Sequence, residues 1–90
     1  MPLTQRDVYF RLKDIIAELI DVKPSSVLAS QSLREELQFD DKALVGLTVA
    51  INEAFKHENI ELKPEDLFKT RDVGDISKLI WTRLERQIVH

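Results

Sequence analysis

Apolar residues recur along this chain at steps of three and four, in three long stretches and one short one. In the stretch Leu37 to Phe55, Leu44, Leu47, Ile51 and Phe55 form one apolar helical face. Asp40 and Asp41 stand just before that face, where carboxylates cap free backbone N–H groups and meet the positive end of the helix dipole. A capped helix near residues 40–56 is predicted. Upstream, Val8, Leu12, Ile15, Ile16 and Leu19 repeat in the same way behind Thr4 and Asp7, a hydroxyl and a carboxylate at capping-box spacing. This predicts a helix near residues 5–21 that stops before Pro24, because proline removes a donor and pushes Lys23 out of helical geometry. Downstream, Pro64-Glu65-Asp66-Leu67 opens a short helix near 64–69, with proline at its start and acids in its first turn. Val73, Ile76, Leu79, Ile80 and Leu84 give a last helix near 73–87.

The connections carry pattern as well. Val27 and Leu28 lie within the serine-rich run from Lys23 to Ser32, which predicts that this connection packs across the helices. Ser32-Leu33-Arg34-Glu35 is a second capping-box pattern that opens a turn through Leu37. Lys56 to Asn59 ends the middle helix, and Ile60-Glu61-Leu62 reads as extended with Ile60 and Leu62 on one side. The expected core is Val8, Leu12, Ile15, Leu19, Leu47, Ile51, Phe55, Ile60, Leu67, Val73, Ile76 and Ile80. Ala43, Gly46, Ala50 and Ala54 form a line of small residues along the middle helix. Packing of that line against the bundle's own loop is the favoured reading, and docking of a partner helix or a second copy is the other.

Ninety residues make one small domain, taken as 1–90, and a chain of this size buries only about 60–65% of its unfolded surface. No repeat, low-complexity run or Gly-Ser linker divides it. The absence of cysteine excludes disulfides and thiol chemistry, and neither His57 nor His90 has a neighbour at metal-ligand spacing, so no metal is expected and both are read as solvent groups. Met1-Pro2-Leu3-Thr4 lacks a signal-peptide pattern, and no segment approaches the roughly 18 apolar residues of a membrane span, so a soluble, cytoplasmic protein is expected. The formal charge of −3 disfavours non-specific nucleic-acid binding, and Arg83 and Arg86 read as cations at a helix end. There is no glycine-rich phosphate loop, no defensible carboxylate pair and no basic stripe interleaved with aromatics. The serines have no histidine or acid at a spacing that would activate them, so no catalytic residues are assigned and the chain is not expected to be an enzyme.

The segment around Asp40 resembles the second helix of acyl carrier proteins and related peptidyl carrier domains, whose motif is Leu-Gly-x-Asp-Ser-Leu before a helix ending near a Phe. Ile60 to Asp66 resembles that family's Ile-x-Ile-Pro-x-Glu-Asp linker, and Asp72-Val73-Gly74-Asp75-Ile76 its Thr-Val-Gly-Asp-hydrophobic start. The likeness covers roughly residues 5–80, and the tail from Trp81 to His90 is longer and more basic than the family usually carries. It implies an all-α, right-handed, acyl-carrier-protein-like four-helix bundle of three main helices and one short one.

Asp40 falls in the motif's aspartate place, but Asp41 stands where the phosphopantetheine-bearing serine would be and Lys42 where the leucine would be. The resemblance with those departures implies a domain that carries no phosphopantetheine and acts as a protein-interaction or regulatory module. Its partners would be proteins, such as acyl-synthesis enzymes or a homologous carrier, with Asp41, Lys42, Ala43, Gly46 and Ala50 as the contact residues. The oligomeric state is left open. The family's acidic docking face is here small and nearly uncharged. The alternative is a working carrier in fatty-acid, polyketide or peptide synthesis, which needs attachment at another hydroxyl, Thr48 or Ser32, or an engineered Ser-to-Asp change at residue 41.

Overall fold

A computed structural model describes residues 3–88. Four helices follow in order: α1 (Gln5–Ile20), α2 (Asp41–Ala54), α3 (Pro64–Phe68) and α4 (Val73–Ile88). The two residues of an isolated antiparallel bridge, Ser32 and Asp72, are the only β pairing among the described residues. The arrangement is the expected all-α bundle, with α1 packed against both α2 and α4, and α2 against α3.

Local chemistry accounts for the helix ends. At the start of α1, the Thr4 hydroxyl accepts the Asp7 N–H at 3.1 Å while the Asp7 carboxylate accepts the Thr4 N–H at 3.0 Å. That backbone bond, reinforced by the Thr4 hydroxyl, holds the Asp7 carboxyl below its ordinary value. Asp72 and Asp75 repeat the reciprocal arrangement at the start of α4, where Asp75 N–H donates to Asp72 at 2.9 Å. Helix α1 ends one residue earlier than predicted. Asp21 turns left-handed at φ 59°, and the following Val22 N–H donates back to the Ala17 carbonyl at 2.9 Å, so the stop precedes the proline and does not need it.

The core is Val8, Leu12, Ile16 and Ala17 from α1, Leu44, Leu47 and Ile51 from α2 with Phe55 just beyond it, Leu67 from α3, and Val73, Ile76, Ile80 and Leu84 from α4. Full burial of such a side chain contributes about 1.5–3 kcal/mol. Two expected members differ. Ile15 is only partly buried against the core, and Leu19 is 48% exposed beside a groove where α2 presents the short side chains of Ala50 and Ala54 next to Glu53. Near the middle of α1, the Arg11 guanidinium lies 5.2 Å from the Phe55 ring centroid and pairs with Glu58 at 3.2 Å, tying α1 to the exit of α2.

The first connection supplies Val27, Leu33 and Phe39 to the core, whereas Leu28 is exposed, so only one of the two apolar residues expected to pack does so. Its turn closes as predicted at Ser32, whose hydroxyl accepts the Glu35 N–H at 3.2 Å. The returning carboxylate belongs to Glu36, one residue later than the sequence pattern placed it, and accepts the Ser32 N–H at 3.0 Å. Three backbone bonds then stitch this connection to the start of α4: Leu33 N–H to Arg71 O, Val73 N–H to Gln31 O, and Gly74 N–H to Ala29 O. A Cβ on Gly74 would stand 3.3 Å from the Ala29 carbonyl oxygen, so the close approach favours glycine there. The second connection is extended, with Ile60 and Leu62 both buried as expected. It pairs with a side chain: the Asn52 amide accepts the Leu62 N–H at 2.8 Å and donates to the Leu62 carbonyl at 2.9 Å.

His57 is exposed in the short 3-10 turn Lys56–Glu58, while His90 lies outside the described residues. No helix among the described residues is long and apolar enough to cross a membrane, and none of their His, Cys, Asp and Glu side chains form a group of three that could hold a metal ion.

Gln38 adopts φ 60° just before α2, a left-handed conformation that costs a residue with a Cβ roughly 1–2 kcal/mol. Replacing Gln38 with Gly should therefore raise stability by about 1 kcal/mol, seen in thermal unfolding as a rise of about 4–8 °C; an unchanged or lower midpoint would show that the Gln38 side chain compensates for its backbone. Gly46 has open space where its Cβ would be, so at this position the small-residue line does not pack against the bundle's own loop. Gly46→Glu should accordingly keep full helical content by circular dichroism and unfold no earlier than the parent, since glutamate is the better helix former by roughly 0.5 kcal/mol.

Candidate interaction site at the start of α2

The first turn of α2 gathers the charged groups of the predicted site. Asp40 is the N-cap, and its carboxylate accepts the Ala43 N–H at 2.8 Å, so its role is to satisfy the helix end. Asp41 is the first helical residue. Its carboxylate accepts a bond from the Arg34 guanidinium at 2.8 Å, with the Asp41 side chain 74% exposed. An exposed pair of this kind contributes about 0–1 kcal/mol, so it orients groups more than it holds the fold. Arg34 comes from the turn after Ser32, and its guanidinium also lies 5.9 Å from the ring centroid of Phe68 on α3. First connection, α2 and α3 therefore meet at one arginine.

The remaining predicted contact residues divide between two flanks. Lys42 and Gly46 face solvent, whereas Ala43 and Ala50 are half-buried. Ala50 and Ala54 line a groove between α1 and α2, whose other lining residues are Ile15, Glu18, Leu19 and Glu53. The small-residue line is thus exposed at Gly46 and forms the floor of a groove at Ala50 and Ala54.

Sequence reasoning missed two residues of this surface. Val45 and Val49 are exposed, Val49 by 64%, and stand one turn apart beside Lys42 and Gly46. Their signal was present: both lie off the stripe of Leu44, Leu47 and Ile51, and four residues apart they share a face. Charged side chains on α2 are confined to Asp41, Lys42 and Glu53, so the outer face between its first and last turns is apolar and uncharged.

Hydroxyls near this surface are engaged elsewhere. Thr48 is buried and donates to the Leu44 carbonyl at 2.8 Å, and Ser32 caps its own turn. With Asp40 given to a cap and Asp41 to an ion pair, the site holds no nucleophile paired with a base.

The family described as "Phosphopantetheine attachment site" matches residues 11–80. The acyl carrier protein of Wolinella succinogenes is 31% identical over 75 residues, covering 83% of this chain and 95% of that protein. The meromycolate extension acyl carrier protein of Mycobacterium tuberculosis is 28% identical over 76 residues, and the match spans 84% of this chain but only 64% of that protein. In three dimensions the chain is similar to the NMR structure of the HMG-ACPI domain from the CurA module of Lyngbya majuscula, with a TM-score of 0.80 at 23% identity over 98% of this chain and 85% of that one, a likeness of fold. Matched over most of its length in sequence and in the order of its four helices, the chain belongs to the phosphopantetheine attachment site family, as an acyl-carrier-protein-like domain.

Proposed function

We infer that this domain is an unloaded relative of the acyl carriers: it takes no phosphopantetheine at residue 41 and works, without catalysis of its own, by docking onto other proteins. The observation that carries this reading is Asp41 itself. Phosphopantetheine is joined through an alcohol oxygen, and residue 41 offers a carboxylate already paired with Arg34 at 2.8 Å. The neighbouring hydroxyls give no substitute, since Thr48 is enclosed in the helix packing and Ser32 is spent on its turn. These residues do not fit the group.

The docking surface is the outer face of α2. Lys42, Val45, Gly46 and Val49 present apolar area with little charge, which suits a partner recognised by shape and burial more than by long-range attraction. Ala43 and Ala50 border that face on the α1 side, and Asp41 with Arg34 marks its upper end. The similarity to carriers of acyl-chain synthesis supports enzymes of that chemistry, or a homologous carrier, as the partners. It also supports a setting in lipid or secondary-metabolite biosynthesis.

Incubation with coenzyme A and a phosphopantetheinyl transferase should leave the intact mass unchanged, under conditions that fully convert a serine-bearing carrier; a mass increase by one phosphopantetheine group would overturn the reading. Restoring the hydroxyl alone should not restore efficient loading, because Lys42 and the uncharged α2 face remain. Asp41→Ser is expected to be modified roughly tenfold more slowly than an ordinary carrier, a difference of about 1.4 kcal/mol. Modification at a matching rate would show that the surroundings of residue 41 matter less than its oxygen.

A further inference from the structure

The apolar stripe of α1 ends on a residue that the core does not take up. Leu19 continues the series Leu12, Ile15 and Ile16, yet it is 48% exposed. Across from it, Ala50 and Ala54 leave a groove of about 320 Å³, whose only charged lining groups are Glu18 and Glu53. A cavity of about 150 Å³ is enough to admit benzene, so this groove has room for an aromatic side chain.

Another face of α1 carries the complementary shape. Phe10 is 46% exposed, and two cations flank its ring, the Arg6 guanidinium and the Lys13 ammonium each 5.5 Å from the centroid. Neither cation is in an ion pair among the described residues. Glu18 has no ion-pair partner there either, and Glu53 meets only the exposed Lys56 at 3.0 Å. An apolar hole beside two carboxylates and an apolar knob beside two cations thus occur on one chain.

We propose that copies of this chain associate head to tail, with Phe10 of one seated in the Ile15–Leu19–Ala50–Ala54 groove of the next and Arg6 and Lys13 set against Glu18 and Glu53. Aromatic side chains and arginine are the groups that most often anchor protein contacts. The geometry also decides the symmetry. At 3.6 residues per turn, Phe10 lies roughly 140–180° around α1 from Ile15 and Leu19, so knob and hole point in different directions. A two-fold pair cannot satisfy both at once, and the contact is heterologous, leaving a free knob at one end and a free hole at the other. This surface is separate from residue 41 and does not depend on whether that residue is loaded.

The test uses the full chain in sedimentation equilibrium up to about 1 mM, the range of weak contacts. The weight-average mass of the parent should climb with concentration without levelling at two copies. Phe10→Glu removes the knob at an exposed position, and Ala54→Arg fills the hole and repels the incoming cations. Each variant alone should remain monomeric, with parental helical content by circular dichroism. Mixed in equal amounts they should form a 1:1 complex that grows no further, since one keeps only a hole and the other only a knob. If Ala54→Arg loses helical content, Leu19→Lys replaces it as the variant without a hole. A parent that stays monomeric throughout, a Phe10→Glu variant that associates as the parent does, or a mixture that stays monomeric would each overturn the proposal.

Discussion

Three backbone hydrogen bonds between the first connection and the start of α4 are the constraint on which this bundle depends. They join residues roughly forty positions apart and leave almost no room at Gly74, where the Ala29 carbonyl stands in hydrogen-bond contact. Closing so long a loop is entropically costly, and the burial of Val27, Leu33 and Phe39 from the same connection offsets that cost. Once the connection is fixed, so is the point at which α2 begins. Phe39 N–H donates to the Leu33 carbonyl at 2.8 Å, Gln38 is forced into its left-handed turn, and Asp40 arrives in position to cap. The position of Asp41 follows from that sequence of restraints.

The helices were legible because their stripes and caps agree. Thr4 with Asp7, Pro64 and Asp72 each marked a start that the structure realises within a residue. What the stripes could not convey was which apolar residues lack a partner across the gap. Leu19 belongs to the same stripe as Leu12, yet it borders a groove lined by Ala50 and Ala54 while Leu12 is fully buried. The left-handed turn at Gln38 was hidden for a different reason, since glutamine carries none of the conformational signal that a glycine would. At the candidate site, Asp40, Asp41 and Lys42 were readable from position alone, while Val45 and Val49 became visible only as exposed area. The pairing of Arg34 with Asp41 is a contact between separate elements that no local pattern encodes.

The outer face of α2 brings these strands together. A surface with few charges is screened little by salt and gains little from long-range attraction, so the docking proposed there would depend on how much apolar area a partner covers. Arg34 complicates this picture at one end, because it touches α2 through Asp41 and α3 through Phe68. A ligand or partner that displaced it would release its contacts to both helices.

Asn52 gives the bundle a further property. Its amide reads the Leu62 peptide as a neighbouring β-strand would, offering one donor and one acceptor in a single plane. The segment leading into α3 is thereby carried on α2 like a latch on its door. A displacement of α2 that leaves these two bonds intact carries Leu62, and with it the entrance to α3, along with the helix.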